Sequence, residues 1–445
     1  MSMRVVRAVD VIVLASMLAG VPAVVSAQEA DSPQALKQQI DKLRADFEAL
    51  QKEYRDRLSA LEAALTAVQG APPQQPPQTA AQTPATPVPP QLATGALPGD
   101  TQASPSQPAA GASKVFNPDM AVIGNIVGAA GRNPIAPDPA IQVREAEASF
   151  QAIADPYARG DFFLSFGESG VDLEEGYITF PAVPGGLLVK VGKMRANFGK
   201  VNISHAHTLT WVDRPLVTTN LLGGEDGIND AGFSVARLIP NPWIFLEATG
   251  QVYRGDSQGL FHSSTRSDLS YVGHVRGYHD VTESSNIDLG ASYARGHNDS
   301  GVVNGVDVGR FVTDLYGFDA TFRWRPLQRA IYHSFISRSE LAWSRRQQPD
   351  GLQSAFGYYI SGDYQLARRW FGGVRYDRSD RAQAQALQGQ PLTDSGVSFI
   401  LTYWPSEFGQ IRGQYRHTAY AEGSNADELL FQFQYSIGAH GAHPF

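Results

Sequence analysis

The chain ends Leu429-Leu430-Phe431-Gln432-Phe433-Gln434-Tyr435-Ser436-Ile437-Gly438-Ala439-His440-Gly441-Ala442-His443-Pro444-Phe445. With His443 as the exception, the odd positions are apolar, small or aromatic, whereas Gln432, Gln434, Ser436 and His440 lie among the even ones. Side chains of a pleated backbone point alternately to opposite faces, so this rhythm is that of a strand with one apolar and one polar face.

Working outward, the same texture recurs back to residue 119 in sixteen short stretches separated by turn residues. Tyr316, Phe318, Ala320, Phe322 and Trp324 share a face against Asp319, Thr321, Arg323 and Arg325. Phe356, Tyr358, Ile360, Tyr364 and Leu366 oppose Tyr359, Ser361, Asp363 and Gln365. No internal run approaches the ~18 apolar residues of a membrane helix. Strands that only alternate can still cross a bilayer when they close into a barrel, because closure pairs every backbone group. An arginine on the lipid face would cost ~2–4 kcal/mol at mid-bilayer, so the apolar face is expected outside and the polar face around a lumen. Short turns such as Pro184-Gly185-Gly186, Pro240-Asn241-Pro242 and Pro405-Ser406 alternate with longer connections at 198–229, 254–268, 296–310 and 378–395. The fold class read from this is all-β: an antiparallel transmembrane β-barrel of about 16 strands over 114–445.

Three segments precede it. Residues 1–27 read as a signal peptide, with Arg4 and Arg7 before an apolar stretch and Val25-Ser26-Ala27 as cleavage site. Residues 32–69 carry heptad spacing through Leu36, Ile40, Leu43, Phe47, Leu50 and Tyr54, which reads as an α-helical coiled coil. Residues 70–113 form a linker rich in Pro, Ala, Gln and Thr that cannot bury a core. Cysteine is absent, which removes disulfides and thiolate metal sites. A net charge of −8 offers no argument for a nucleic-acid partner.

Strand parity assigns side chains to the lumen. Lys190, Arg323, Arg325, Arg338, Arg375, Arg412 and Arg416 form its basic set, and Glu145, Glu147, Glu175 and Glu247 its acidic set. The faces of Lys193 and Arg195 depend on whether Gly192 bulges. The longest connection, 198–229, is expected to fold into the lumen as a constriction carrying His205, His207, Trp211, Asp213, Arg214, Glu225 and Asp226. Its acids would add to the acidic wall and set a transverse field against the basic one. His205 and His207 have a spacing that suits paired metal ligands, but without a third ligand the reading is loop packing and no metal. No enzyme constellation and no cofactor motif stands out.

The stretch Val189-Lys190-Val191-Gly192-Lys193-Met194-Arg195-Ala196-Asn197-Phe198-Gly199, followed by a long loop, resembles the strand entering the constriction loop of the phosphate-selective porin O/P superfamily. The helical rod before a barrel is similar to that of DcaP-like trimeric porins. The resemblance implies a homotrimeric bacterial outer-membrane porin that passes small hydrophilic solutes, anions among them, with its N-terminal region in the periplasm. It also implies outer-membrane lipid as surroundings and a barrel-assembly machinery that reads Phe445. The alternatives are a structural tether with a closed barrel and a solute- or metal-specific receptor.

Overall fold

The computed structural model describes residues 118–167, 170–257, 259–304, 306–382 and 392–438. The expected signal peptide, coiled coil and linker, together with His440, His443 and Phe445, lie outside the described residues.

Five strands open the barrel: β1 (Asp119–Arg132), β2 (Gln142–Asp155), β3 (Ala158–Gly167), β4 (Gly170–Val183) and β5 (Leu187–Arg195). A long connection carries a 3-10 turn at Ala206–Thr208 and the short helix α1 (Leu216–Leu221). Then follow β6 (Asn229–Leu238), β7 (Phe245–Tyr253), β8 (Ser270–Thr282) and β9 (Ser285–Asn298). The two-residue strands β10 (Val302–Val303) and β11 (Val306–Asp307) make a separate small hairpin. The remaining staves are β12 (Phe311–Trp324), β13 (Phe335–Gln348), β14 (Gly351–Ala367), β15 (Trp370–Asp380), β16 (Thr393–Ser406), β17 (Gly409–Ala419) and β18 (Asn425–Gly438). All but β10 and β11 pair with their neighbours in order, and β1 closes on β18 from Ala121 opposite Gly438 to Arg132 opposite Asp427. The molecule is a closed antiparallel β-barrel of sixteen strands.

Closure leaves no free sheet edge, and alternation decides the two surfaces. On β18, Leu429, Phe431, Phe433, Tyr435 and Ile437 are exposed outward, while Glu428, Leu430, Gln432, Gln434 and Ser436 are buried inward. Registers carry that parity around the ring: Gln432 stands opposite Arg412, Thr402 opposite Arg412, and Ser398 opposite both Arg416 and Arg375. The outer charges Arg295 and Asp314 pair with each other at 2.8 Å near the strand ends.

The turns depart from strict length alternation in three places. On the end holding the first residues of β1, the connection 325–334 is longer than its two- to six-residue neighbours. At the other end, the connections 168–169 and 349–350 are only two residues long. Arg325 lies beyond the last residue of β12 and is exposed at the rim, so it does not line the wall as parity alone suggested. Strand parity holds only while the strand continues.

Two bulges matter for the interior. Between β3 and β4 the register steps from Phe163–Glu175 to Leu164–Leu173, which leaves Glu174 as the extra residue. Between β1 and β2 it steps from Asn125–Glu145 to Ile126–Val143, which leaves Arg144 extra. A bulge re-aims a side chain that the two-residue rhythm would send elsewhere. Glu174 is buried beside Glu175, and the Arg144 guanidinium donates to the carbonyl of Val212 within the long connection.

Candidate functional site: a loop docked inside the barrel

Residues 196–228 fold into the interior between β5 and β6. The neck is pinned by Asn202, whose amide donates to the carbonyls of Ala196 and Ile228 at 2.8 and 3.1 Å and accepts from Ile228 N at 2.8 Å. Gly227 sits at φ +63 against this amide, where a Cβ would lie 2.1 Å from Asn202 Oδ1. Gly199, also at φ +63, lets the backbone approach Glu340, which accepts from Lys200 N and Val201 N at 2.9 and 2.8 Å. Both positions call for glycine, on conformation and on space.

The loop then crosses to β13–β18. Trp211 is 1 % exposed; its ring lies 4.9 Å from the Arg375 guanidinium and meets Tyr359 edge-on at 5.2 Å. Asp213 accepts from Arg375 Nη2 at 2.9–3.0 Å, from Arg416 Nη1 at 2.9 Å and from Gln414 Nε2 at 2.6 Å. Arg412 donates to the carbonyls of Leu209 and Trp211 at 2.8 and 3.2 Å. Beyond it, Leu216 N at the start of α1 donates to Asp377 at 3.2 Å. Leu209, Trp211, Val217, Leu221 and Leu222 pack with inward Leu315, Ala342, Ala355 and Ile400 in one buried apolar cluster.

Burial by itself would raise the Asp213 carboxyl, but Arg375, then Arg416 and Gln414, outweigh it and hold the group well below the usual carboxylate range.

On the opposite wall the loop presents two imidazoles to carboxylates. His205 Nδ1 lies 2.7 Å from Glu147 Oε2, and its Nε2 lies 2.8 Å from Glu175 Oε2. His207 Nδ1 lies 3.1 Å from Glu145 Oε1. Arg195 pairs with Glu174 and donates to the carbonyl of Asp226 at 2.8 Å. Arg214 donates to the carbonyls of Val201 and Ser204 and so ties the loop to itself. Burial alone would lower His205, but Glu174 and Glu147 outweigh it and raise its imidazole well above an ordinary histidine. His207 is raised too, with Glu147 and Glu145 outweighing its burial.

The expected basic residues Lys190, Arg323, Arg338, Arg375, Arg412 and Arg416 and the acids Glu145, Glu147, Glu175 and Glu247 all stand at inward register positions. The expected transverse field does not follow. Asp213 belongs to the basic wall, where it is shared by two arginines, and Arg375 also pairs with Asp377 at 2.7 Å. Glu225 and Asp226 are exposed on the loop's outer side, and Glu225 lies 3.7 Å from Arg214. They do not face the basic set. A loop has no strand parity, so its acids could not be assigned to a wall from sequence.

Gly192 has φ +143 but keeps its register opposite Tyr177, so it does not bulge; the bulge at Glu174 belongs to the β3–β4 pairing. Lys193 stands opposite Ala231 and reaches the carbonyl of Leu173 at 2.5 Å, whereas Arg195 is buried. Elsewhere in the interior Arg276 and Lys200, each with a side chain 17 % exposed, meet the buried Asp288 at 2.7 and 3.0 Å, and Arg338 pairs with Asp363 at 2.7 Å. Sequence reading missed Arg276, Asp288 and Lys200 as a group, although parity marks the first two once their strands are placed.

No protein-family model matches the chain. An uncharacterised protein of Aquifex aeolicus (strain VF5) is 29% identical over 335 residues, which span 67% of this chain and 69% of the relative. An anion-selective porin from Comamonas acidovorans superposes with a TM-score of 0.52 at 11% identity, over 72% of this chain and 99% of that one. The outer membrane channel DcaP of Acinetobacter baumannii gives 0.48 at 11% identity, over 72% and 96%. At such identities the first of these two structures establishes a shared barrel fold.

Proposed function

We propose that this chain is an outer-membrane porin, a passive channel for small hydrophilic solutes whose docked loop sets the aperture. The observation that carries the reading is the pairing of an apolar outer surface with a polar interior crossed by the long loop 196–228. An apolar exterior is solvated by lipid, and a polar interior is solvated by water. Arg276 and Arg338, with side chains 17 and 12 % exposed, keep part of their surface toward the lumen. Anion preference is part of the proposal: in a narrow low-dielectric passage even partly paired guanidinium groups favour anions over cations.

Assembly is proposed as a homotrimer with the coiled coil of 32–69 in the periplasm clamping the subunits. Deleting that segment should lower the heat resistance of the oligomer on a gel without abolishing the pore; unchanged resistance counts against the clamp. A second reading, a tether with a closed barrel, is favoured by the apolar cluster with which the loop packs across the interior. Single-channel recording of purified protein separates the two. Discrete conductance steps support the channel, and a silent bilayer with verified insertion supports the tether. Among steps, a reversal potential displaced toward the chloride equilibrium supports anion preference.

A further inference from the structure

Glu147, His205 and His207 converge on one point between the loop and the wall, with Glu174 beside His205. The Oε2 atom of Glu147 lies 2.7 Å from His205 Nδ1 and 3.6 Å from His207 Nδ1. The Oε2 atom of Glu174 lies 3.4 Å from that same nitrogen of His205. A tetrahedral cation with bonds of about 2.0–2.1 Å holds its donor atoms roughly 3.3 Å apart; the 3.4 and 3.6 Å separations are near that, and the 2.7 Å contact is a hydrogen bond that a cation would replace. Ligand atoms of Glu147, His205 and His207 all lie within 4.8 Å of one another, and all three residues are buried.

Two further observations point to a ligand. Glu174 Oε2 is buried, in a residue only 8 % exposed, and has no hydrogen-bond partner. It meets the His205 ring at 3.4 Å, longer than a good hydrogen bond, which leaves a buried carboxylate oxygen poorly satisfied. The far nitrogen of His205 is held by Glu175 at 2.8 Å, the carboxylate–histidine arrangement that orients a ligating imidazole through its other ring nitrogen.

Charge gives the same direction. Four carboxylates, Glu145, Glu147, Glu174 and Glu175, surround two imidazoles, with Arg195 as the guanidinium paired into the group. A divalent cation with both rings neutral brings the same positive charge as two protonated imidazoles, so it can take their place among these carboxylates. Mixed imidazole and carboxylate donors suit zinc-class metals rather than calcium or magnesium, which take all-oxygen shells.

We propose that Glu147, Glu174, His205 and His207 form a binding site for one divalent transition-metal cation of the zinc class, which fastens the interior loop to β2 and β4. The site goes beyond the channel reading and is tested by binding, so its failure is separable from a failure to conduct. Full-length protein in detergent, stripped with chelator, is titrated with Zn²⁺ by calorimetry and with Co²⁺ by visible absorption. The expected result is one equivalent per chain, with the intense Co²⁺ bands of a four-coordinate site. The double variant His205→Asn/His207→Asn should lose that equivalent. The near-isosteric Glu174→Gln, which keeps the fold testable if the double variant does not fold, should weaken it at least ~10-fold. Glu175→Gln should weaken it by about 10–100-fold through the orienting contact. His297→Asn, in the separate Asp268–His297–Asp307 cluster, should leave it unchanged. The proposal is overturned if the wild type takes up no Zn²⁺ to about 1 mM, if the equivalent survives Glu174→Gln undiminished, or if it is His297→Asn that removes it.

Discussion

Asp213 is the residue on which the loop's far anchor depends. It meets two guanidinium groups that keep other acids of their own, Asp377 for Arg375 and Glu428 for Arg416. Because both arginines keep these acids, removing Asp213 leaves no charge uncompensated; what is lost is the loop's own charged hydrogen bonds to Arg375 and Arg416, each worth about 1.5–3 kcal/mol. Asp213→Asn is therefore expected to release the anchor and make open-channel current noisy at every pH. In the wild type the sign of the acid response follows from the depressed carboxyl. The tie is present above the ordinary carboxylate range and lost only as pH falls through the lower folded value. Steady current is expected from pH 7 down past about 4, where unperturbed aspartates titrate; a release transition centred there would contradict the assignment. Selectivity belongs to other residues. Arg375 is 1 % exposed, so Arg375→Gln should disturb the loop, whereas Arg338→Gln should move the reversal potential toward the cation side with the loop still docked. Equal shifts from both substitutions would undo that division.

At the scale of elements, the strands and the inward course of the loop were readable, and the loop's contacts were not. Outward Phe431, Phe433 and Tyr435 follow from alternation, because one buried or lipid-facing side is enough to set parity. His205 is different: its partner Glu147 precedes it by 58 residues, and Glu174 reaches the site only because a bulge breaks the rhythm. Neither fact has a local signal. Helix α1 was missed for a related reason: the six residues Leu-Val-Thr-Thr-Asn-Leu are too short and too rich in β-branched residues to read as a helix. Its stability comes from packing Val217 and Leu221 into the barrel's apolar cluster. Trp211 is the largest fully buried side chain of that cluster. Trp211→Ala should destabilise loop docking by about 3–5 kcal/mol, seen as faster proteolysis within 196–228 while the barrel stays resistant. Protection equal to the wild type would show that the ion pairs hold the loop alone.

The whole molecule reconciles two solvents with one chain. Closure removes the sheet edge, the outside is mostly apolar, and outward charges such as Arg237, Arg295, Asp314, Arg345 and Arg378 sit toward the strand ends. Sequence rhythm was sufficient for this level, since a closed ring follows from sixteen alternating stretches and arginines that must avoid lipid. What it could not supply was the balance of charge inside, where the loop's Asp213 pairs with wall arginines across more than 160 residues of chain. The central claim, that a water path persists beside the docked loop, is tested most directly by the conductance of purified wild-type protein in a planar bilayer. The account predicts discrete, ohmic steps that grow when 203–222 is replaced by a short linker. Verified insertion with no current above bare lipid, before and after that replacement, would contradict it.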